Sequence, residues 1–296
     1  MNRTKRRQIN STLVFLGFSM PALLAILLSV EVPFIMSVVY SFTKWNGLDK
    51  VPVFIGLANY VEIFTNDPDM MDAFGFTLKM AIFTVLFTNI IALTLAVLLD
   101  SRIRGKNLLR VMFYIPNIIS LVVIGYVWRF IFSRGFDSFY ELTNMNIFML
   151  SWLGDRNMAF LSVVLVSIWQ QLGFYMVIYI AGLQTVPRDL IEAADIDGAG
   201  PIMKFFRITL PMIMASVTVA VFYSLSNGLK VFDVILSLTS GGPGNATTSI
   251  TLDIYRTGFV ISRFGYGTAK SVILFLFILL LTVFQVKMFK RREVEL

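Results

Sequence analysis

The chain has 296 residues, of which 57% are apolar and only 15% charged, and its mean hydropathy is +0.77. A soluble domain sits nearer 45–50% apolar and about 25% charged, so this composition excludes a single water-soluble core and makes lipid the solvent. Cysteine and histidine are both absent, which excludes disulfides, thiol nucleophiles, Cys-based metal sites and Ser-His catalysis, and removes the usual neutral-pH proton switch.

A bilayer span needs about 20 mostly apolar residues. Six stretches qualify, at 12–42, 74–99, 108–132, 159–183, 208–237 and 264–286. The first follows the basic stretch 1–8 like a signal peptide, but its apolar run far exceeds an h-region of about 7–15 residues and reads as a retained span. Pro21 and Pro33 lie within it and should kink it or mark its ends. The longest loops, near 43–73 and 133–158, have room for short amphipathic helices. No internal repeat, low-complexity tract or separate soluble domain is visible, so 1–296 reads as one transmembrane domain.

Orientation follows from the basic residues. Arg3, Lys5, Arg6 and Arg7 precede the first span. Arg102, Arg104, Lys106 and Arg110 lie between spans two and three, and Arg188, Lys204 and Arg207 between four and five. Lys287, Lys290, Arg291 and Arg292 follow span six. These are fifteen of the 25 Lys and Arg residues. The opposite loops hold Lys44, Lys50, Arg134, Arg156, Arg256 and Arg263. Positive charge accumulates in cytoplasmic loops, which places both termini in the cytoplasm and accounts for the net charge of +7 without nucleic acid.

The loop at 184–211 is the most informative segment. Pro187 sits where a first-turn proline belongs, with Thr185 a candidate cap. Asp189 and Glu192 suit the positive start of a helix, and Gly198 is placed to end it. Pro201 opens a second short helix, and Pro211 marks the start of span five. The expectation is a helix-turn-helix on the cytoplasmic face, with Ala193 and Ala194 small enough to admit another surface.

The pattern Glu192-Ala193-Ala194, Gly198, Ile208 and Leu210-Pro211 resembles the EAA loop of ABC importer permeases. Phe54-Ile55-Gly56-Leu57-Ala58-Asn59-Tyr60 after span one, and Leu238-Thr239-Ser240-Gly241-Gly242-Pro243 with Thr247 after span five, resemble the carbohydrate-uptake branch of that family. The chain differs from the maltose-type pattern in lacking a large inserted external domain. The resemblance implies an all-α integral membrane protein of the type I ABC importer permease fold, in a bacterial plasma membrane. It implies a second permease chain, two cytoplasmic ATPase subunits that use ATP and Mg, an extracellular or periplasmic solute-binding protein, and no cofactor or metal on this chain. Glu192, Ala193, Ala194, Asp197 and Gly198 would form the ATPase-coupling surface, and the solute would be a sugar, oligosaccharide or related polyol or sugar phosphate.

Polar residues inside spans are costly unless they face a cavity or a partner. In span four Ser167, Gln170, Gln171 and Phe174 share one helix face at i, i+3, i+4 and i+7, roughly 12–22 Å into the span at 1.5 Å per residue. Ser224, Asn227 and Gly228 in span five and Asn117 and Ser120 in span three extend this candidate solute path. Helix-to-helix hydrogen bonding is the plainer use of such residues. Lys230 and Asp233 read as an interfacial ion pair, and Lys79 and Lys270 as snorkelling side chains.

The segment Gly265-Tyr266-Gly267 through Lys270-Ser271 imitates a phosphate loop but lacks a glycine before the lysine. Ser240 to Asn245 reads as a flexible glycine-rich turn, and Asn245-Ala246-Thr247 fits a glycosylation sequon. The alternative function is an ion-coupled secondary transporter working through intramembrane carboxylates, for which Glu31 and Asp233 are the candidates; a receptor or scaffold is a further one.

Overall fold

The computed structural model describes residues 3–101 and 103–291; Arg102 and Arg292 lie outside the described residues, as do the side chains of Arg3, Lys5, Arg6 and Arg7. The order is α1 (Arg3–Ile26), α2 (Val32–Tyr40), β1 (Thr43–Lys44), β2 (Val53–Phe54), α3 (Ala58–Asn66), α4 (Pro68–Asp100), α5 (Lys106–Ile118), α6 (Leu121–Phe130) and α7 (Phe136–Thr143). Then come α8 (Arg156–Leu183), α9 (Arg188–Ile196), α10 (Pro201–Lys204), α11 (Leu210–Met212), α12 (Met214–Leu229), α13 (Asp233–Leu238), α14 (Ile250–Tyr255) and α15 (Phe264–Lys290). β1 and β2 form a two-stranded antiparallel ribbon with Thr43 opposite Phe54.

Among the described residues four helices are long and apolar enough to cross a membrane: Phe15–Tyr40, Pro68–Asp100, Arg156–Leu183 and Phe264–Lys290. The stretches expected as uninterrupted spans three and five are instead bent. Lys106–Ile118 meets Leu121–Thr143 at 96°, and Pro201–Met212 meets Met214–Leu229 at 73°. Span five also stops at Leu229, with α13 separate. Apolar content reports burial in lipid, not straightness. In the first span Pro33 stands in the first turn of α2, just after a wider turn at Leu27–Glu31, and Pro21 lies inside α1.

The fold divides into two compact units. The first comprises Met1–Asn66 and Ile254–Ile273. Its first helix ends in a turn pinned by Asn59, which is 4% exposed and donates from Nδ2 to the carbonyls of Ser41 (2.8 Å) and Thr43 (3.0 Å). Arg263 forks onto Glu62 with two 2.8 Å hydrogen bonds. The phosphate-loop imitation is packing: a Cβ on Gly265 would lie 2.1 Å from the Thr43 carbonyl oxygen. Lys270 does not snorkel; it is 2% exposed, donates to Thr257 Oγ1 at 3.3 Å and lies over the Tyr266 ring. Lys79, in the second unit, lies 4.4 Å from the Phe160 ring centroid.

The second unit, Asp67–Asp253 with Leu274–Leu296, is built around α8. Asp67 and Asp155 cap α4 and α8 by accepting from Met70 N and from Asn157 N and Met158 N. Basic residues close the far end of α4: Arg110 Nη2 donates to the Leu99 carbonyl at 2.8 Å, and Lys106 reaches those of Asp100 and Ser101. Arg110 and Lys106 thus neutralise a helix C-terminus as well as marking sidedness.

Between helices in lipid there is little hydrophobic drive, so small residues set how close backbones come. A Cβ on Gly173 of α8 would meet the Phe113 carbonyl oxygen of α5 at 2.2 Å, and one on Gly125 of α6 the Ser237 Oγ of α13 at 1.8 Å. A Cβ on Gly228 of α12 would lie 3.2 Å from the Ala81 Cα of α4. Around them lie two apolar clusters, one on Met80, Ile124, Val163 and Ile235, the other on Ala92, Ala96, Tyr175 and Tyr179. Most other large apolar side chains, such as Phe18, Ile90 and Leu280, face outward, as a lipid solvent requires.

Candidate functional site

Within the second unit, α5, α6, α8, α12 and α13 surround a cavity of about 380 Å³, within the size range of small-molecule sites. Of the residues expected on the solute path, it gathers Asn117 from α5, Ser167, Gln170, Gln171 and Phe174 from α8, and Asn227 from α12. Leu121, Tyr175, Tyr223, Lys230, Val231, Asp233 and Val234 complete the wall. Tyr175 stands eight residues after Ser167, on the same helical face, and that spacing could have found it.

Two breaks in the helices border this cavity. One separates α5 from α6 beside Asn117 and Leu121; the other separates α12 from α13 at residues 230–232. Non-helical backbone survives at membrane depth only where it is buried in protein or lines a wet cavity, and transporters place solute sites at such breaks.

The polar side chains are arranged rather than scattered. Asn227 Nδ2 donates to Tyr175 Oη at 3.5 Å, and Tyr175 Oη donates to Gln171 Oε1 at 3.3 Å. Phe174 and Tyr223 stand with ring centroids 5.3 Å apart and planes tilted by 39°, an aromatic surface of the kind a sugar ring packs against. Gln170 is only 5% exposed. The Ser167 hydroxyl is buried with no hydrogen-bond partner, and leaving such a group unmet costs about 1–3 kcal/mol.

Three expected path residues sit elsewhere. Ser224 is turned toward α4, where its Oγ accepts from Asn89 Nδ2 at 2.9 Å while Tyr179 Oη donates to Asn89 Oδ1 at 2.6 Å. This network joins helices, the plainer role such residues have in membranes. Gly228 is consumed by the Ala81 contact, and Ser120 lies at the break before α6, exposed and outside the cavity wall. Lys230 and Asp233 do not form the expected ion pair. The i, i+3 spacing brings them together only on a continuous helix, and the chain is non-helical between them.

The loop at 184–211 forms α9, a turn, and α10. Gly198 adopts φ +76, where Cβ-bearing residues are strained, and the Ala199 N–H bonds the Ala194 carbonyl at 2.9 Å. Glu192, Ala193 and Asp197 are exposed, and Ala194 is buried. Thr185 does not cap α9; its hydroxyl donates back to the Gly182 carbonyl, and Pro187 occupies the cap position. Arg188 and Glu192 line an open groove with Asp100 and Lys106. The glycine-rich turn after α13 is tightly bonded: the Thr247 hydroxyl, fully buried, donates to the Gly242 carbonyl (2.6 Å), and its oxygen lies 2.8 Å from Thr239 Oγ1 in a hydroxyl–hydroxyl hydrogen bond.

Residues 88–294 match the family described as binding-protein-dependent transport system inner membrane component. A probable starch degradation products transport system permease protein of Thermoanaerobacterium thermosulfurigenes is 41% identical over 94% of each chain. A multiple sugar-binding transport system permease protein of Streptococcus mutans is 32% identical over 88% of this chain and 90% of its own. Among solved structures, a chain of a bacterial ABC transporter involved in import of the acidic polysaccharide alginate aligns with a TM-score of 0.82 at 21% identity, covering 98% of this chain and 99% of that one. The alginate transporter is also solved in complex with a periplasmic protein bound to an alginate pentasaccharide.

Proposed function

The chain belongs to the family of binding-protein-dependent transport system inner membrane components, and on that footing we propose that it passes a sugar or oligosaccharide through the cavity on α8 and α12. The observation that carries the reading is the wall itself: four amides, a buried unpartnered hydroxyl and an aromatic face, gathered at two helix breaks. Relatives described as permeases for starch degradation products and for multiple sugars support it. In this reading a second permease completes the path, a solute-binding protein delivers the sugar, and two separate ATPase subunits, using ATP and Mg, drive the alternation between inward- and outward-facing states. Of the two carboxylates an ion-coupled carrier would use, Glu31 is exposed on the first helix and Asp233 lines the cavity, but the relatives, described as sugar-transport permeases, favour the ATP-driven reading.

The test is purification followed by reconstitution. The chain co-purifies an ATPase and supports ATP-dependent sugar accumulation in proteoliposomes; a chain that transports alone overturns the reading. The same preparation tests coupling through Glu192, Ala193, Ala194, Asp197 and Gly198. A β-branched residue at φ +76 costs about 1–2 kcal/mol, so Gly198→Val weakens ATPase retention about 5- to 30-fold while the protein still inserts. Nothing lies within 4 Å of the position a Cβ would take, so a fall reports backbone strain rather than a clash. Unchanged retention in Gly198→Val and in Glu192→Lys removes the loop as coupler.

Placement in the bacterial plasma membrane with both termini cytoplasmic is tested by thiol labelling, which the absence of native cysteine makes clean. Cysteines at Asn66 and Glu141 react with an impermeant reagent in intact cells, and those at Ser101 and Gln184 do not. Asn144 and Asn245 are poorer reporters, since they hold φ 53 and φ 63, a region that favours asparagine. Labelling at Ser101 or Gln184 from outside overturns the orientation.

A further inference from the structure

We propose that the solute crossing this cavity carries no net charge, and that Lys230 and Asp233 are the residues that set this preference. The proposal rests on the reading of the cavity as the solute site. Of the residues lining it, two are ionisable at neutral pH, one of each sign. Lys230 closes α12 and Asp233 opens α13, with the non-helical residues 231 and 232 between them. No ion pair joins them. Both residues line the cavity, and neither charge is neutralised by the other.

The remaining polar wall is neutral. Gln170 and Asn227 offer amides, and the Ser167 hydroxyl, 1% exposed, has no protein partner. A neutral polyhydroxyl compound satisfies this wall completely. Each hydroxyl both donates and accepts, so one can donate to the Asp233 carboxylate, another accept from the Lys230 ammonium, and others bond the amides in either sense. A phosphate or uronate group at neutral pH only accepts. It gains from Lys230, but it enters the same small cavity as Asp233, whose repulsion offsets that gain. The wall holds no arginine, the side chain best fitted to grip such anions. Known relatives of this fold include an importer of an acidic polysaccharide, so membership alone does not decide the charge of the solute. The balance of Lys230 against Asp233 does.

The experiment uses the assembled importer in nanodiscs, with one cysteine introduced by Leu121→Cys on the cavity wall. Val231→Cys serves if that variant fails to assemble. Labelling rates are measured with neutral, anionic and cationic methanethiosulfonates of similar size, alone and with solutes present. Maltotriose, raffinose or cellobiose slows labelling at least fivefold, whereas sn-glycerol 3-phosphate and digalacturonate do not. Asp233→Asn raises the anionic-to-cationic rate ratio about tenfold and Lys230→Gln lowers it about tenfold, as one added or removed charge across a half-wet cavity implies. Protection by an anionic solute equal to that by the neutral sugars overturns the proposal, and so does a ratio that neither substitution moves. Failure of the site reading has its own signature: the importer accumulates a sugar, yet no solute protects the cysteine. That outcome removes the cavity as the solute site, and this proposal with it.

Discussion

One added methyl group at Gly173 leaves little folded protein. A Cβ there would lie 2.2 Å from the Phe113 carbonyl oxygen, 2.6 Å from the Phe113 carbonyl carbon and 2.6 Å from the Tyr114 Cα. All three are backbone atoms, so no rotamer change relieves the overlap, and α5 must move bodily away from α8. Overpacking in a well-packed core costs about 1–3 kcal/mol and sometimes more; Gly173→Ala belongs at the top of that range and Gly173→Val beyond it. The measurement is the yield of monodisperse protein after detergent extraction, with thermal stability of what remains. Gly75→Ala is the matched control, since nothing lies within 4 Å of its Cβ and alanine is the better helix former by about 1 kcal/mol. Equal yields of Gly173→Val and Gly75→Ala would show that α5 does not rest on α8 as described.

The second large effect falls on transport. Gln170→Leu and Asn227→Leu each remove one amide from the cavity wall while preserving bulk, and leucine is no burden to a helix in lipid. A hydrogen bond to a solute contributes about 1–1.5 kcal/mol net, so the double variant takes up its sugar about 30- to 150-fold more slowly. Assembly with the ATPase and basal ATP hydrolysis are retained, since neither residue lies on the loop at 184–211. Unaltered uptake in the double variant would move the solute site to the partner permease. Ser224→Ala offers the contrast: its hydroxyl serves Asn89 rather than the cavity, so it lowers stability by about 1 kcal/mol and leaves sugar preference alone.

The sequence was legible wherever one helix settled the matter. Ser167, Gln170, Gln171 and Phe174 lie on one unbroken helix, so a 3.6-residue period predicts their common face, and all four reach the cavity. Gly198 and Pro201 are local punctuation, and the turn between α9 and α10 follows from them. Reasoning failed where the chain departs from a continuous helix. Asn117 and Ser120 share a face on paper, but the break at residues 119–120 parts them; Lys230 and Asp233 are parted the same way. Ser224 needed a contact with Asn89, 135 residues away, which no local pattern carries. Lys270 looked like an end-of-span lysine because hydropathy cannot show that Tyr266 and Thr257 enclose it.

The bend in the third span also bears on how the protein is made. At 1.5 Å per residue the 13 residues of α5 reach about 20 Å, short of a hydrocarbon core of about 30 Å, whereas the helical run Leu121–Thr143 reaches about 35 Å and is long enough to cross it alone. The surface that receives α6 is α13, which leaves the ribosome more than a hundred residues later, about 5–20 s at usual rates of synthesis. Until then α6 lacks that partner, though α8, which receives α5 where Gly173 meets the Phe113 carbonyl, is made earlier. The α5 side of the bend thus meets its support on α8 during synthesis before the α6 side meets its support on α13.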